Sequence, residues 1–422
     1  MQAASSPRSA FTTANPHALA VILEASETRR IIAARDIFDL SGIKLWARDQ
    51  PVSAALQRKL MDRKLAEPME SCLMAEDGVT TPGLLQATWQ LLEGSSPLAP
   101  LLRPQAKPLM QEVAHVPLHP VVQLLLTAAQ ASRPDSFGHA VQGMALAGSL
   151  TLRRGGNLAE VRMALLAGLV HDLGEMYIDP HHGEADADRA LDFTSYQQLV
   201  VHPHVGRLLL TQLTNYPASL ARAVAEHHER LDGSGYPQAL PGSELSPLGR
   251  LLAATEAVLA VMRGDSPSLA RASVALRVVP GEFDMEWVGH VAEAARTEPE
   301  LGRSHHPETL RERLLQLDGR LTAAWGCAEA LEPAAGTQAL RDTLAMARHL
   351  LQRLRTGWTA SGLWCADAVA AAEIAELDAV EGELSFRLSA IERAARLRAG
   401  HLPEPDAKRL QLLLDSLKAD VS

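Results

Sequence analysis

A chain of 422 residues with 47% apolar and 21% charged side chains is long enough for two or three domains and too apolar to be disordered as a whole. Its formal net charge of -10 argues against binding long nucleic acid by general attraction to the phosphate backbone, while leaving room for a small anion at a local cluster. Cys72, Cys327 and Cys365 lie far apart without CxxC spacing, and no window approaches the roughly 18 uninterrupted apolar residues of a membrane span, so a cytoplasmic protein with reduced thiols is expected.

Residues 1–16, rich in Ser, Ala, Thr and Pro, read as a mobile leader. Residues 20–23, 31–34 and 43–46 are short apolar runs that predict strands of a small sheet. Ser53 then opens a periodic segment through Leu56, Leu60 and Leu65, which predicts a serine-capped helix. Residues 17–93 thus make a small α/β module with no catalytic cluster, suited to packing or partner contact. Pro97, Pro100, Pro104 and Pro108 mark residues 94–118 as a linker, with Pro117 and Pro120 at the entry to the next domain.

From residue 119 to about 300 the pattern is helical: Val121, Leu124, Leu125 and Ala128 keep one face, as do Val161, Leu165 and Leu169. Ser246 before Pro247 makes a good start for a helix through Leu252 and Val258, since proline at the first helical position loses no hydrogen bond. Residues 305–422 carry long Leu- and Ala-rich periodic stretches that predict a helical extension, self-packed or pairing with a second copy, with Gly336, Gly357, Gly362 and Pro403 at its turns. The fold class is mainly α, a helical domain between a small N-terminal α/β module and a C-terminal helical extension.

The chemistry concentrates at His171 and Asp172, adjacent residues that emerge from the apolar run 164–170, where an unpaired charge would be expensive. His139 lies one helix upstream, His202 one helix downstream, His227 and His228 on the next and Glu256 on the one after. Five successive helices can thereby converge on one buried point, as in bundle-core metal sites. Imidazole nitrogens and carboxylate oxygens suit divalent iron, manganese, zinc or nickel, and an aspartate can bridge two ions.

HDLG at 171–174, HPHVG at 202–206, HHERLDGSGYP at 227–237 and PGSELSPLGRLLAATE at 241–256 resemble the HD-GYP subgroup of the HD phosphohydrolase superfamily. The resemblance covers residues 119 to about 292. It implies a helical domain holding two or three divalent ions, iron or manganese, and hydrolysis of cyclic di-GMP or a related nucleotide in bacterial second-messenger signalling, with water activated by the ions. It also implies that His139, His171, Asp172, His202, His227 and His228 stand at metal-ligand positions, with Asp172 the bridge and Asp135 where members with a third ion carry a glutamate. Gly233, Gly235, Tyr236 and Pro237 form the loop naming the subgroup, a contact for substrate or for a partner domain of the GGDEF type.

Four departures lie near the expected substrate. Glu175 replaces a lysine that the resemblance places against substrate phosphate, and a carboxylate there repels the anion. Glu256 stands for a metal-ligating aspartate, a longer arm of the same charge, whereas Leu259 stands for a second aspartate and cannot coordinate. A basic patch falls on Asp265, Ser266, Pro267 and Ser268, leaving Arg263 as the nearby cation. Each lost cation would weaken binding of a dianion by about 1–3 kcal/mol. Three readings follow: a phosphodiesterase, a signalling module that keeps the metals with weak or no catalysis, and an enzyme with a less charged nucleotide as substrate, where Glu175 serves as ligand or base.

Other histidines have plainer explanations. His181 and His182 with Glu184, Asp186 and Asp188 read as a solvated acidic turn, His305 and His306 as a linker, and His115 and His119 as surface residues beside prolines.

Overall fold

The structure, a computed structural model, describes residues 10–179, 193–264, 266–296, 307–334, 336–361, 374–400 and 402–418. It is mainly helical, and the chain forms two compact units, Met1–Glu229 with Leu245–Leu259, and Arg230–Glu244 with Ala260–Ser422.

The first unit begins with a turn of chain already packed in place. Phe11 is 8% exposed and Thr13 bridges Lys64, so residues 10–15 are not the mobile leader expected for 1–16; residues 1–9 lie outside the described residues. Helix α1, Pro16–Ala25, replaces the strand expected at 20–23. Asn15 explains the difference, because its Oδ1 accepts from the His17 and Ala18 amides and Pro16 follows at the first helical position. The strands β1 (Ile31–Ala33) and β3 (Lys44–Trp46) fall on the runs expected at 31–34 and 43–46, and a strand not expected from the sequence, β2 (Ile37–Phe38), lies between them. β2 pairs antiparallel with β3, while β1 pairs antiparallel with β4 (Leu73–Ala75), Ile31 opposite Ala75. Between them lie α2 (Ala54–Leu60) and α3 (Met69–Cys72). Ser53 occupies the cap position of α2 without capping it through its side chain, and the helix stops before Leu65.

Residues 94–118, expected as a linker, are largely helical: α4 (Thr81–Glu93) is followed by α5 (Ala99–Leu102), a 3-10 turn and α6 (Ala106–Val113). Leu101, Leu102, Leu109 and Val113 are fully buried, so the prolines here start helices rather than extend a tether. Then come α7 (Pro120–Ser132), α8 (Pro134–Arg153), α9 (Leu158–Val170), a 3-10 turn Leu173–Tyr177, α10 (Phe193–Leu199), α11 (His202–Leu213), α12 (Ala218–Glu226) and α13 (Pro247–Met262). A capping box between Asn157 and Glu160 starts α9. α8 and α9 pack closely because Gly143 and Gly168 face each other: a Cβ on Gly143 would lie 2.6 Å from the Gly168 carbonyl oxygen, and one on Gly168 would run into the Gly143 carbonyl.

The second unit contains residues 230–244, α14 (Leu269–Arg277), α15 (Met285–Ala295), α16 (Pro307–Leu331), α17 (Gln338–Ser361), α18 (Ile374–Ala399) and α19 (Glu404–Leu417). Leu321, Leu344, Leu351, Leu384, Leu388 and Leu410 belong to its apolar core, as the periodicity of residues 305–422 predicts. Gly357 is not a turn; it sits within α17, where a Cβ would meet the Val278 carbonyl, while Gly362 lies outside the described residues. Among the described residues no helix is long and apolar enough to cross a membrane.

Candidate metal centre

Each donor sits at or near a helix end, where a side chain can aim inward without breaking the helix behind it. His171 caps the C-terminus of α9, His202 opens α11, and His227 caps the C-terminus of α12 with His228 next. His139 and Glu256 are the exceptions, projecting from within α8 and α13. Among the described residues these side chains make two donor groups, His139, His171, Asp172 and Glu256, and Asp172, His202, His227 and His228. Within each group the candidate ligand atoms lie within 4.8 Å of one another.

Three of the rings are fixed in the same way. Nδ1 of His171 lies 2.8 Å from the Gly168 carbonyl, Nδ1 of His202 2.7 Å from that of Leu199, and Nδ1 of His227 2.6 Å from that of Val224. A carbonyl only accepts, so each Nδ1 carries a hydrogen and each ring turns its Nε2 into the centre. Nε2 of His202 and Nε2 of His227 then face each other at 3.0 Å. Burial, followed by the neighbouring His228, pushes His227 down to about 3, so this ring is neutral at ordinary pH. Two lone pairs at that separation repel unless a cation lies between them.

Asp172 joins the groups. Its Oδ2 lies 2.9 Å from His139 Nε2 and 3.3 Å from His171 Nε2, and its Oδ1 lies 3.1 Å from His227 Nε2 and 3.5 Å from His202 Nε2. Neither oxygen completes a well-aligned hydrogen bond in spite of these distances. Glu256 Oε2 closes the first group at 3.0 Å from His139 Nε2 and 3.1 Å from His171 Nε2. Burial opposes charge on both His171 and Asp172, yet the carboxylates of Asp172 and Glu256 raise His171 well above its usual range, and His171 with its neighbours holds Asp172 well below the carboxylate range. The donor set therefore fits cations.

The remaining predicted site residues are distributed differently. Asp135 is exposed in the first turn of α8 and belongs to neither donor group. Glu175 is buried in the 3-10 turn just after Asp172, its amide bonded to the Asp172 carbonyl at 2.9 Å, and also stands outside both groups. Leu259 is fully buried. Gly233, Gly235, Tyr236 and Pro237 belong to the second unit, where the Leu231 amide donates to the Glu282 carbonyl and the Asp232 carboxylate accepts from Ser234; Arg263 is half-buried just after α13. His119 accepts from the Val121 amide at the start of α7, and His115 pairs with the Gln111 carbonyl, so both have local structural roles. His181, His182, Glu184, Asp186, Asp188, Asp265, His305, His306 and Cys365 lie outside the described residues.

Glu226 is a structural tie beside the donor groups that the sequence alone does not reveal. Buried at the end of α12, it accepts from the Ser246 amide and hydroxyl and from Arg222, and so ties the end of the helix bearing His227 to the start of the helix bearing Glu256. Its position just before the paired histidines is the one signal that could point to it.

A helical domain whose core gathers imidazoles around a shared aspartate places two groups of side chains that could hold metal ions between its helices. Residues 123–281 match the HD domain family. The chain is 26% identical over 205 residues to a 3'3'-cGAMP-specific phosphodiesterase of Vibrio cholerae, covering 46% of this chain and 43% of that one. It is 33% identical over 150 residues to a cyclic di-GMP phosphodiesterase of Pseudomonas aeruginosa, covering 35% of each. It thus spans less than half the length of these relatives. A solved HDG"Y"P protein from Bdellovibrio bacteriovorus aligns with a TM-score of 0.37 and 15% identity over 51% of this chain and 70% of that one. Residues 123–281 thus match an HD domain, and the histidine, aspartate and GYP motifs are similar to those of the HD-GYP subgroup.

Proposed function

We propose that this protein is a metal-dependent phosphodiesterase that hydrolyses a cyclic dinucleotide, cyclic di-GMP or its mixed adenine-guanine relative. The single observation that carries the reading is the pair of donor groups sharing Asp172, with one carboxylate oxygen turned to each. His139, His171, Asp172 and Glu256 would hold one ion, and Asp172, His202, His227 and His228 the other, iron or manganese. When bound, such ions lower the pKa of water and neutralise charge on a phosphate and its leaving oxygen. The chain's own part is positional: backbone carbonyls lock the imidazoles, Asp172 sets the spacing between the groups, and the apolar helix behind His171 keeps bulk water out. The loop with Gly233, Gly235, Tyr236 and Pro237, and Arg263, serve as contacts for substrate or partner.

A specific observation favours a second reading, a signalling module that retains metal without turnover. Glu175 adds a buried carboxylate three residues from Asp172, and Leu259 offers no polar group. One assay tests both. The protein is loaded with manganese or iron under reducing conditions, its metal is counted, and turnover of cyclic di-GMP, 3'3'-cGAMP and linear dinucleotides is followed. Turnover abolished by Asp172→Ala supports the enzyme; full metal with no turnover of any nucleotide rejects it in favour of the module. Glu175→Lys should raise the rate if charge repulsion limits it.

A further inference from the structure

The 3-10 turn Leu173–Tyr177 continues directly from Asp172 and is held at both ends. At its start, a Cβ on Gly174 would run into the His202 carbonyl, so the turn presses against the first residue of α11, whose ring belongs to the second donor group. At its far end the N-terminal α/β module and the chain leading into it grip Tyr177. The Tyr177 hydroxyl donates to Glu70 Oε1 at 2.9 Å, with Tyr177 and Glu70 both buried. Asn15 Nδ2 donates to the Tyr177 carbonyl at 3.1 Å while its Oδ1 caps α1, and Phe11 meets the Tyr177 ring edge-on at 5.5 Å between centroids. A buried acid hydrogen-bonded to a buried phenol 107 residues away in sequence is a costly device for a fold that needs only packing there.

We propose that the N-terminal module is a positioning element of the metal centre, with Glu70 and Tyr177 fastening the turn that sets where Asp172 and His202 stand. Tyr177 and Glu70 are positioning residues; neither belongs to a donor group. The proposal rests on the metal-centre reading above. It gives a defined role to a module that carries no chemistry of its own, because any partner that displaces Phe11, Asn15 or Glu70 loosens the bridging carboxylate.

The test uses the full chain and manganese(II) alone. Tyr177→Phe and Glu70→Ala are expected to weaken manganese binding at least fivefold and to alter the visible spectrum of the cobalt(II)-loaded protein. Glu70→Gln, which keeps an acceptor for the phenol, should restore wild-type affinity. Leu56→Ala, which destabilises the same module away from the turn, should leave affinity and spectrum unchanged. Hydrogen exchange without metal reads the fastening itself: in Tyr177→Phe the amides of Glu175 and Ile178 should exchange about tenfold faster. Unchanged exchange together with manganese affinity within twofold of wild type would overturn the inference while leaving the metal centre intact. Failure of the wild-type chain to bind manganese would sink the metal-centre reading, and this inference with it.

Discussion

Replacing Glu226 by alanine removes the acceptor that holds two ligand-bearing helices together, and the structure fixes how much should be lost. Its Oε2 takes the Ser246 amide at 2.9 Å and the Ser246 hydroxyl, and its Oε1 takes Arg222 at 2.7 Å. Hydrogen bonds to a buried charged acceptor contribute about 1.5–3 kcal/mol each, so the two Ser246 bonds amount to roughly 3–6 kcal/mol before relaxation. The Arg222 side chain is 58% exposed, and its ion pair adds about 0.5 kcal/mol or less. Some water will enter the space left by the side chain, so Glu226→Ala should destabilise the first unit by about 3–5 kcal/mol, and Glu226→Gln, which keeps one acceptor, by about 1–2 kcal/mol. Peptide-resolved hydrogen exchange across α12 and the start of α13 measures this without assuming that the whole chain unfolds in one step. Manganese affinity should fall in the same order, because His227 and Glu256 lie on the two tied helices. A loss in Glu226→Ala below about 1 kcal/mol, with affinity unchanged, would show that Glu226 does not hold the two helices together.

If the donor groups hold ions, manganese at about a hundred times its dissociation constant should stabilise the fold by about 2.7 kcal/mol, and a chelator should reverse the gain; a melting temperature indifferent to both would count against them. Burial raises the Glu70 carboxyl above its ordinary range in the fold, so the stability this group contributes is full below the unfolded value near 4.5 and is lost as pH rises through the folded value. Glu70→Gln should therefore stabilise the protein more at pH 8 than at pH 4, and an equal shift at both would reject the assignment. Asp378 behaves oppositely, since Arg313 and Arg271 outweigh its burial and hold it below 3.8 in the fold. Its stabilisation is present above the unfolded value and disappears on acidification through the folded one, and Asp378→Asn should flatten that part of an acid titration. Gly168→Ala should separate α8 from α9 and reduce metal binding by an order of magnitude or more, read by equilibrium dialysis, with an overpacking penalty of about 1–3 kcal/mol.

The donor residues are legible in the sequence because metal chemistry restricts residue types sharply and because successive helices repeat at a spacing that places them on one core. Asp135 illustrates the limit: one turn before His139 it has the right type and spacing, but its first-turn position leaves it in solvent. The helix at Pro16–Ala25 escapes a reading by periodicity because four apolar residues fit a buried strand or a helix equally well, and only the cap made by Asn15 decides between them. Residues 94–118 look like a linker because Pro100, Pro104 and Pro108 suggest breaks, whereas leucines 101, 102 and 109 between them are buried. Glu70 leaves no trace at all, and Glu226 only its place before the paired histidines. An acid that hydrogen-bonds across 20 residues or more looks in sequence like any solvated acid.

The two compact units are interleaved along the chain, with residues 230–244 and everything from Ala260 onward assigned to the second and 245–259 to the first. The HD match at 123–281 therefore begins in one folding body and ends in another. A cut at that boundary would separate Val274, Val278 and Val279 from the apolar core they share with residues 317–417, so the matched segment is poorly suited to exchange as a cassette.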